Sequence, residues 1–139
     1  MTRSEVQALV DQWLKAWNDH DPAALAALHA LDGVVESPMF DTHRGRRAIE
    51  DVYRAFFTAF RETQAIVDAV VIDPPRFAVF ATVHAIHVNE IFRLPATHKH
   101  AQFSLARLFE TADGFITHER RIYDLTGFKV QLGALKVKS

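Results

Sequence analysis

The sequence predicts an α+β fold in which helices pack on one face of a strongly bent sheet. Two observations carry that expectation. Apolar residues recur at helical spacing up to Phe60, and from Gln64 onward the period changes to alternation in β-branched runs. Helices first and a long meander second is the order of an α+β domain, not of repeated βαβ units.

Each element has its own signal. Val6, Leu9, Val10, Trp13, Leu14 and Trp17 follow the i, i+3, i+4 rule, with Thr2 or Ser4 available as cap, and predict a first helix with two tryptophans on its buried face. Asp21-Pro22 is a cap followed by proline at the first helical position, opening a short second helix through Ala23, Leu25 and Leu28 that Asp32-Gly33 ends. A brief strand, Val34 to Ser37, and a loop from Pro38 to Gly45 follow. Ile49, Val52, Tyr53, Phe56, Phe57 and Phe60 then form a third helix with an unusually aromatic stripe. Strands are expected at Ala65 to Ile72, Phe77 to Ile91, Ala101 to Phe109 and Phe115 to Leu125. Asp73-Pro74-Pro75, Arg93 to His98 and Thr111 to Gly114 separate them, so consecutive strands should pair as antiparallel hairpins.

Composition narrows the function. The 139 residues, 49% hydrophobic and 24% charged, suffice for one globular domain with a real core and leave no room for two, so residues 1–139 are read as a single domain. Sixteen basic residues nearly cancel 17 acidic ones, and the basic run Arg44-Gly45-Arg46-Arg47 reads as a solvated helix start, so a nucleic-acid partner is not expected. The absence of cysteine rules out disulfides, thiolate chemistry and Cys-ligated zinc, and fits a reducing compartment. Met1-Thr2-Arg3-Ser4-Glu5 runs straight into the amphipathic pattern, and no run approaches the ~18 apolar residues of a membrane span. A cytoplasmic protein without membrane association is the expectation.

The element order, with Trp17-Asn18-Asp19-His20-Asp21 before the second helix, Asp113-Gly114 before the last strand and Gln131-Leu132-Gly133 after it, resembles the SnoaL-like polyketide cyclases, within the superfamily of nuclear transport factor 2-like folds. The likeness covers nearly the whole chain, but its motifs identify the fold better than the chemistry. It implies a strongly curved antiparallel sheet forming a cone closed by three N-terminal helices, a deep apolar cavity for a small hydrophobic molecule, no cofactor, and a homodimer through the outer sheet face. Ketosteroid isomerases share the superfamily, and Val35-Glu36-Ser37-Pro38 looks like their segment carrying the catalytic base. Ser37 stands at the base position, Trp13 where those enzymes place a tyrosine donor, and Leu105 where they place a protonated aspartate. A serine cannot take a carbon-bound proton without its own activator, which argues against steroid isomerisation. Limonene epoxide hydrolases use an Arg-x-Asp pair, and Arg107-Leu108-Phe109 lacks its carboxylate. In the cyclases the corresponding histidine is His87. Of two acidic positions three apart on the last strand, the later is Asp124, whereas the earlier is Arg121.

Strand parity sorts the remaining polar residues. If Leu105 faces the cavity, Phe103, Arg107 and Phe109 do too, and Glu119, Arg121 and Tyr123 share the inward face of the next strand. A bulge would instead turn these charges outward. An inward arginine among aromatics must pair with a carboxylate, stack on a ring or bind an anionic ligand group, and Glu119 is the placed partner. His87 reads either as the acid/base, its ordinary pKa of ~6.5 suiting proton transfer, or as a hydrogen-bonded wall residue. Asp124 either orients it or caps the closing turn. Trp17, Phe56 and Phe60 are expected to touch a ligand, with Met39 and Phe40 at the mouth. A metal is not expected: the eight histidines do not converge by spacing, His84 and His87 pointing to opposite faces. Besides a weaker one, a purely protein-binding dimer using the outer sheet face, two functions stay open. One is cofactor-independent acid/base chemistry (cyclisation, isomerisation or hydration) on a small apolar oxygenated molecule, with His87, Asp124, Glu119 and Arg107 as catalytic residues. The other is a non-catalytic binding module of the same fold.

Overall fold

A computed structural model describes residues 1–136. Four helices, α1 (Arg3–Asn18), α2 (Pro22–Ala27), α3 (Arg46–Ala59) and α4 (Leu125–Leu132), accompany six strands: β1 (His29–Ser37), β2 (Asp41–Arg44), β3 (Phe60–Asp73), β4 (Arg76–His87), β5 (His100–Ala112) and β6 (Phe115–Tyr123). The strands form one curved sheet in the order β2-β1-β6-β5-β4-β3. The fold is α+β, as expected.

Consecutive strands β3 to β6 pair antiparallel, but β1 runs parallel to β6, so the sheet is mixed rather than wholly antiparallel. Strands β2 to β5 and helix α3 separate the two in the chain, a connection long enough for β6 to return beside β1 in the same direction, which a hairpin cannot do. Strand β2 lies where a loop was expected. Its sequence Asp-Thr-His-Arg has no apolar alternation, so only the backbone ladder with Val34 to Ser37 reveals it.

Thr2 caps α1 in a reciprocal box with Glu5, and Asp21 caps α2 by accepting from the Ala24 amide at 3.0 Å. Helix α2 stops at Ala27, short of Asp32-Gly33, and the chain enters β1 at His29. The His29 ring, through Nδ1, bonds the Leu25 carbonyl at 2.8 Å, adding a second, shorter bond to a helix-end acceptor that the Leu28 amide reaches at 3.3 Å. Phe60 ends the aromatic stripe of α3 but already pairs with His87, because the β3–β4 ladder starts where the helix stops. No helix was expected after β6. Helix α4 nonetheless carries its own signals: Asp124 caps it, Phe128 and Leu132 bury one face, and Gly133 closes it in the left-handed conformation at φ 81°.

The core lies between the concave face of the sheet and helices α1 and α3. Trp13 meets Phe109 edge-on at 5.4 Å, and Phe109 stacks on Phe77 at 4.3 Å, joining the first helix to the sheet centre.

Candidate functional site

Strands β5 and β6 set the floor. Their register places Leu105 opposite Tyr123, Arg107 opposite Arg121 and Phe109 opposite Glu119. The one irregularity of this pair falls between Glu110 and Thr111, beyond these positions, so the alternation is unbroken where it matters. Phe103, Leu105, Arg107 and Phe109 all face inward and are buried, as are Glu119 and Arg121, with Tyr123 partly buried.

Helices α1 and α3 supply the roof, because their apolar stripes must bury against the sheet. From α1, Trp13 and Trp17 stack at 5.7 Å, and the Arg107 guanidinium carbon lies 4.7 Å and 4.5 Å from their ring centres. From α3 comes Tyr53, whose hydroxyl accepts from the Trp13 indole at 3.1 Å and donates to Glu119. The other Glu119 oxygen accepts from Arg121 Nε, and the Arg121 guanidinium lies over the Tyr53 ring at 4.7 Å. His29 Nε2 sits 3.6 Å from Glu119 Oε1.

Electrostatics follow from this packing. Burial pushes the Glu119 carboxyl up, but Arg121, the His29 ring and Arg107 outweigh it and hold the group well below the usual carboxylate range. Burial disfavours the Arg121 cation, yet Glu119 raises its pKa above the ordinary arginine value. For Arg107 the balance is reversed: burial first, and then repulsion from Arg121, outweigh the Glu119 charge and lower it to about 10. Burial and then the Glu119 charge push the Tyr53 phenol up, and burial raises Tyr123. Two buried guanidiniums therefore share one carboxylate. Among the described residues Arg107 has no hydrogen-bond or ion-pair partner, and its Nε and the Arg121 Nη2 are buried without one.

A small cavity opens beside these cations. Arg107, Arg121, Tyr53 and Tyr123 form its polar wall. Trp17, Phe56, Val83, Phe103 and Leu105 form its apolar wall, and the half-buried Met39 and Phe40 stand at its side. Its free volume is about 20 Å³, room for about one water molecule, so in this conformation the side chains nearly fill the expected deep cavity.

The remaining expected residues lie elsewhere. His87 is fully buried on the inward face of β4 but takes no part in the cavity wall. Its Nδ1 bonds the Thr97 side chain at 2.9 Å and amide at 3.2 Å, its ring packs on Phe60, and no carboxylate reaches it among the described residues. Phe60 is likewise behind the wall, between His87 and Phe128. Asp124 accepts from the Gly127 amide at 2.9 Å as the cap of α4. Ser37 accepts from the Met39 amide at 3.2 Å, which fixes the turn entering the cavity side. Glu119 stands behind Tyr53 and Arg121 rather than at the surface of the cavity. No group of three or more His, Asp or Glu side chains among the described residues is arranged to hold a metal ion. Sequence reasoning gave Tyr53 only a core role and passed over His29. The signal for Tyr53 was its hydroxyl on an otherwise wholly apolar helix stripe, since a buried phenol requires a partner.

A family model for SnoaL-like polyketide cyclase matches residues 7–132. The chain belongs to this family. The chain is also similar to a steroid Δ-isomerase from Nocardioides simplex, 37% identical over 83 residues, which is 59% of this chain and 68% of that protein. The fold matches the solved structure of TsrD from Streptomyces laurentii with a TM-score of 0.83 at 24% identity, covering 97% of this chain and 99% of the other. It also matches a Catenulispora acidiphila protein of ketosteroid isomerase-like fold, with a TM-score of 0.74 at 21% identity over 90% and 92% of the two chains. A shared backbone does not fix chemistry, so the residues of this SnoaL-like chain must indicate what it does.

No helix among the described residues is long and apolar enough to cross a membrane.

Proposed function

We propose that the protein is a cofactor-independent cyclase or isomerase that stabilises an enolate formed from a small, apolar, oxygenated molecule. The observation that carries this reading is the pair of guanidiniums, Arg107 and Arg121, in the wall of an otherwise aromatic and aliphatic cavity. Fixed cations in a water-poor site stabilise charge that develops on oxygen without reorganising at the moment of reaction. Burial keeps Tyr123 neutral and able to donate a hydrogen bond to the same oxygen. Glu119 and Tyr53 act in this reading as positioning residues that hold Arg121, His87 holds the segment around Thr97, and Asp124 caps α4. The steroid isomerase likeness supports isomerase-type chemistry. With Ser37 at the base position of the ketosteroid isomerases and no carboxylate or imidazole in the cavity wall, the proton of the broken C–H bond passes to a water molecule admitted with the ligand, which requires a bond already acidified by adjacent carbonyl groups.

That same lack of a base favours a second reading, a binding module that retains the cavity without the chemistry. Hydrogen–deuterium exchange at the α-carbon of enolisable aryl ketones and 1,3-diketones, followed by NMR, separates the two. Exchange faster than in buffer, and lost in Arg107→Met, supports the enzyme. Binding without exchange supports the module.

The outer sheet face supports a homodimer in this reading. Phe80, Ala106 and Ile122 lie in one row across β4, β5 and β6, with Phe80, Ile122 and neighbouring Leu108 43%, 54% and 41% exposed. Sedimentation of the protein and of Ile122→Arg tests it: a dimer that the variant dissociates is expected.

A further inference from the structure

We infer that the ligand of this cavity is a singly charged organic anion, whose carboxylate or equivalent oxygen pair sits between Arg107 and Arg121. The inference rests on the cavity reading above and adds the charge of its occupant.

Arg107 and Arg121 are directly opposite on neighbouring strands, 4% and 7% exposed. Like charges directly across a ladder are unfavourable, and more so away from water. Glu119 is bonded to Arg121 and offsets Arg107 only in part, since burial and repulsion from Arg121 prevail there. Two guanidiniums against one carboxylate give the cluster an excess of one positive charge, which a monoanion balances and a dianion overshoots. The free N–H groups point the same way: Arg107 Nε and Arg121 Nη2 are buried donors without acceptors. Removing such donors from water without a partner is costly, and a bound carboxylate supplies what the protein does not. Stacking on Trp13 and Trp17 fixes the plane of the Arg107 guanidinium, so little freedom is lost when it engages an anion. The rest of the wall, Phe56, Val83, Phe103 and Leu105, suits an aromatic or branched aliphatic body rather than a bare inorganic ion. Such a body enters by displacing Met39 and Phe40, the half-buried side chains beside the short turn fixed by Ser37.

The test uses benzoate and benzamide, which share shape and differ in charge, titrated into the intact protein at neutral pH by NMR. Benzoate binding at least about tenfold more tightly than benzamide is expected, in line with the strength of hydrogen bonds to charged groups. Arg107→Met, confirmed folded by its thermal transition, should abolish the preference, while Arg107→Lys should keep part of it. Equal binding of the two probes overturns the anion inference and leaves the cavity reading standing. Neither probe binding overturns both, and a preference that survives Arg107→Met overturns the assignment to this residue.

Discussion

Tyr53 on α3 donates its hydroxyl hydrogen to Glu119 on β6, sixty-six residues away, with both groups buried. The bond joins the helical roof to the sheet floor at the point where Arg121 is held, so it couples packing of the core to the geometry of the cavity. Trp13 completes the chain by donating to the same hydroxyl at 3.1 Å.

Replacing Tyr53 by Phe should cost about 1–3 kcal/mol, because the Trp13 indole loses its acceptor and Glu119 loses a donor while both remain buried. Chemical denaturation of the variant measures the loss. A change below a few tenths of a kcal/mol would show that water takes over both bonds.

Glu119→Gln should destabilise by about 3–5 kcal/mol, since it leaves two opposed buried cations without their shared carboxylate. The wild-type protein carries the same dependence on pH. Glu119 has a folded pKa depressed from the ordinary 4.5, so its contribution is complete above about that pH and is lost as pH falls through the folded value. Thermal melts from neutral pH into the acid range should therefore show falling stability, with a much shallower slope in Glu119→Gln.

Arg107→Met should leave the unliganded protein as stable as before or more so, by about 1 kcal/mol. The substitution removes a buried cation that lacks an ion pair and keeps an apolar chain against Trp13 and Trp17. Calorimetry reads this as an unchanged or raised transition temperature. A clear loss of stability would mean that stacking on the two indoles outweighs the cost of burying the charge.

Asp124→Ala should cost about 1 kcal/mol through the lost cap of α4 and leave probe binding in the cavity unaltered. Titration and melting of the same variant separate the two. Weakened binding at intact stability would return Asp124 to the functional site.

Much of this arrangement is legible in single residues. The inward set Phe103, Leu105, Arg107, Glu119 and Arg121 follows from alternation, which is a local property of any strand and holds here because the β5–β6 irregularity lies outside that stretch. Helix α1 is likewise written in the spacing of Trp13 and Trp17, and α2 in Asp21-Pro22. Strand β2 was not legible, since Asp41 to Arg44 carry no apolar pattern and exist as a strand through pairing with β1. Helix α4 was written in Asp124, Phe128, Leu132 and Gly133, but the preceding alternation drew the reading of the strand through Leu125.

Periodicity along the chain is enough for the α+β class and for which side chains turn inward, because helical and strand repeats are set within a few residues. Which inward groups meet was chosen by the folded core. It set Glu119 against Arg121 and Tyr53 rather than Arg107, put Arg107 against two indoles, and gave His87 to Thr97 and Asp124 to a helix cap. Those pairings depend on strand register and on how α1 and α3 settle over the sheet, which only the close packing of the whole core fixes.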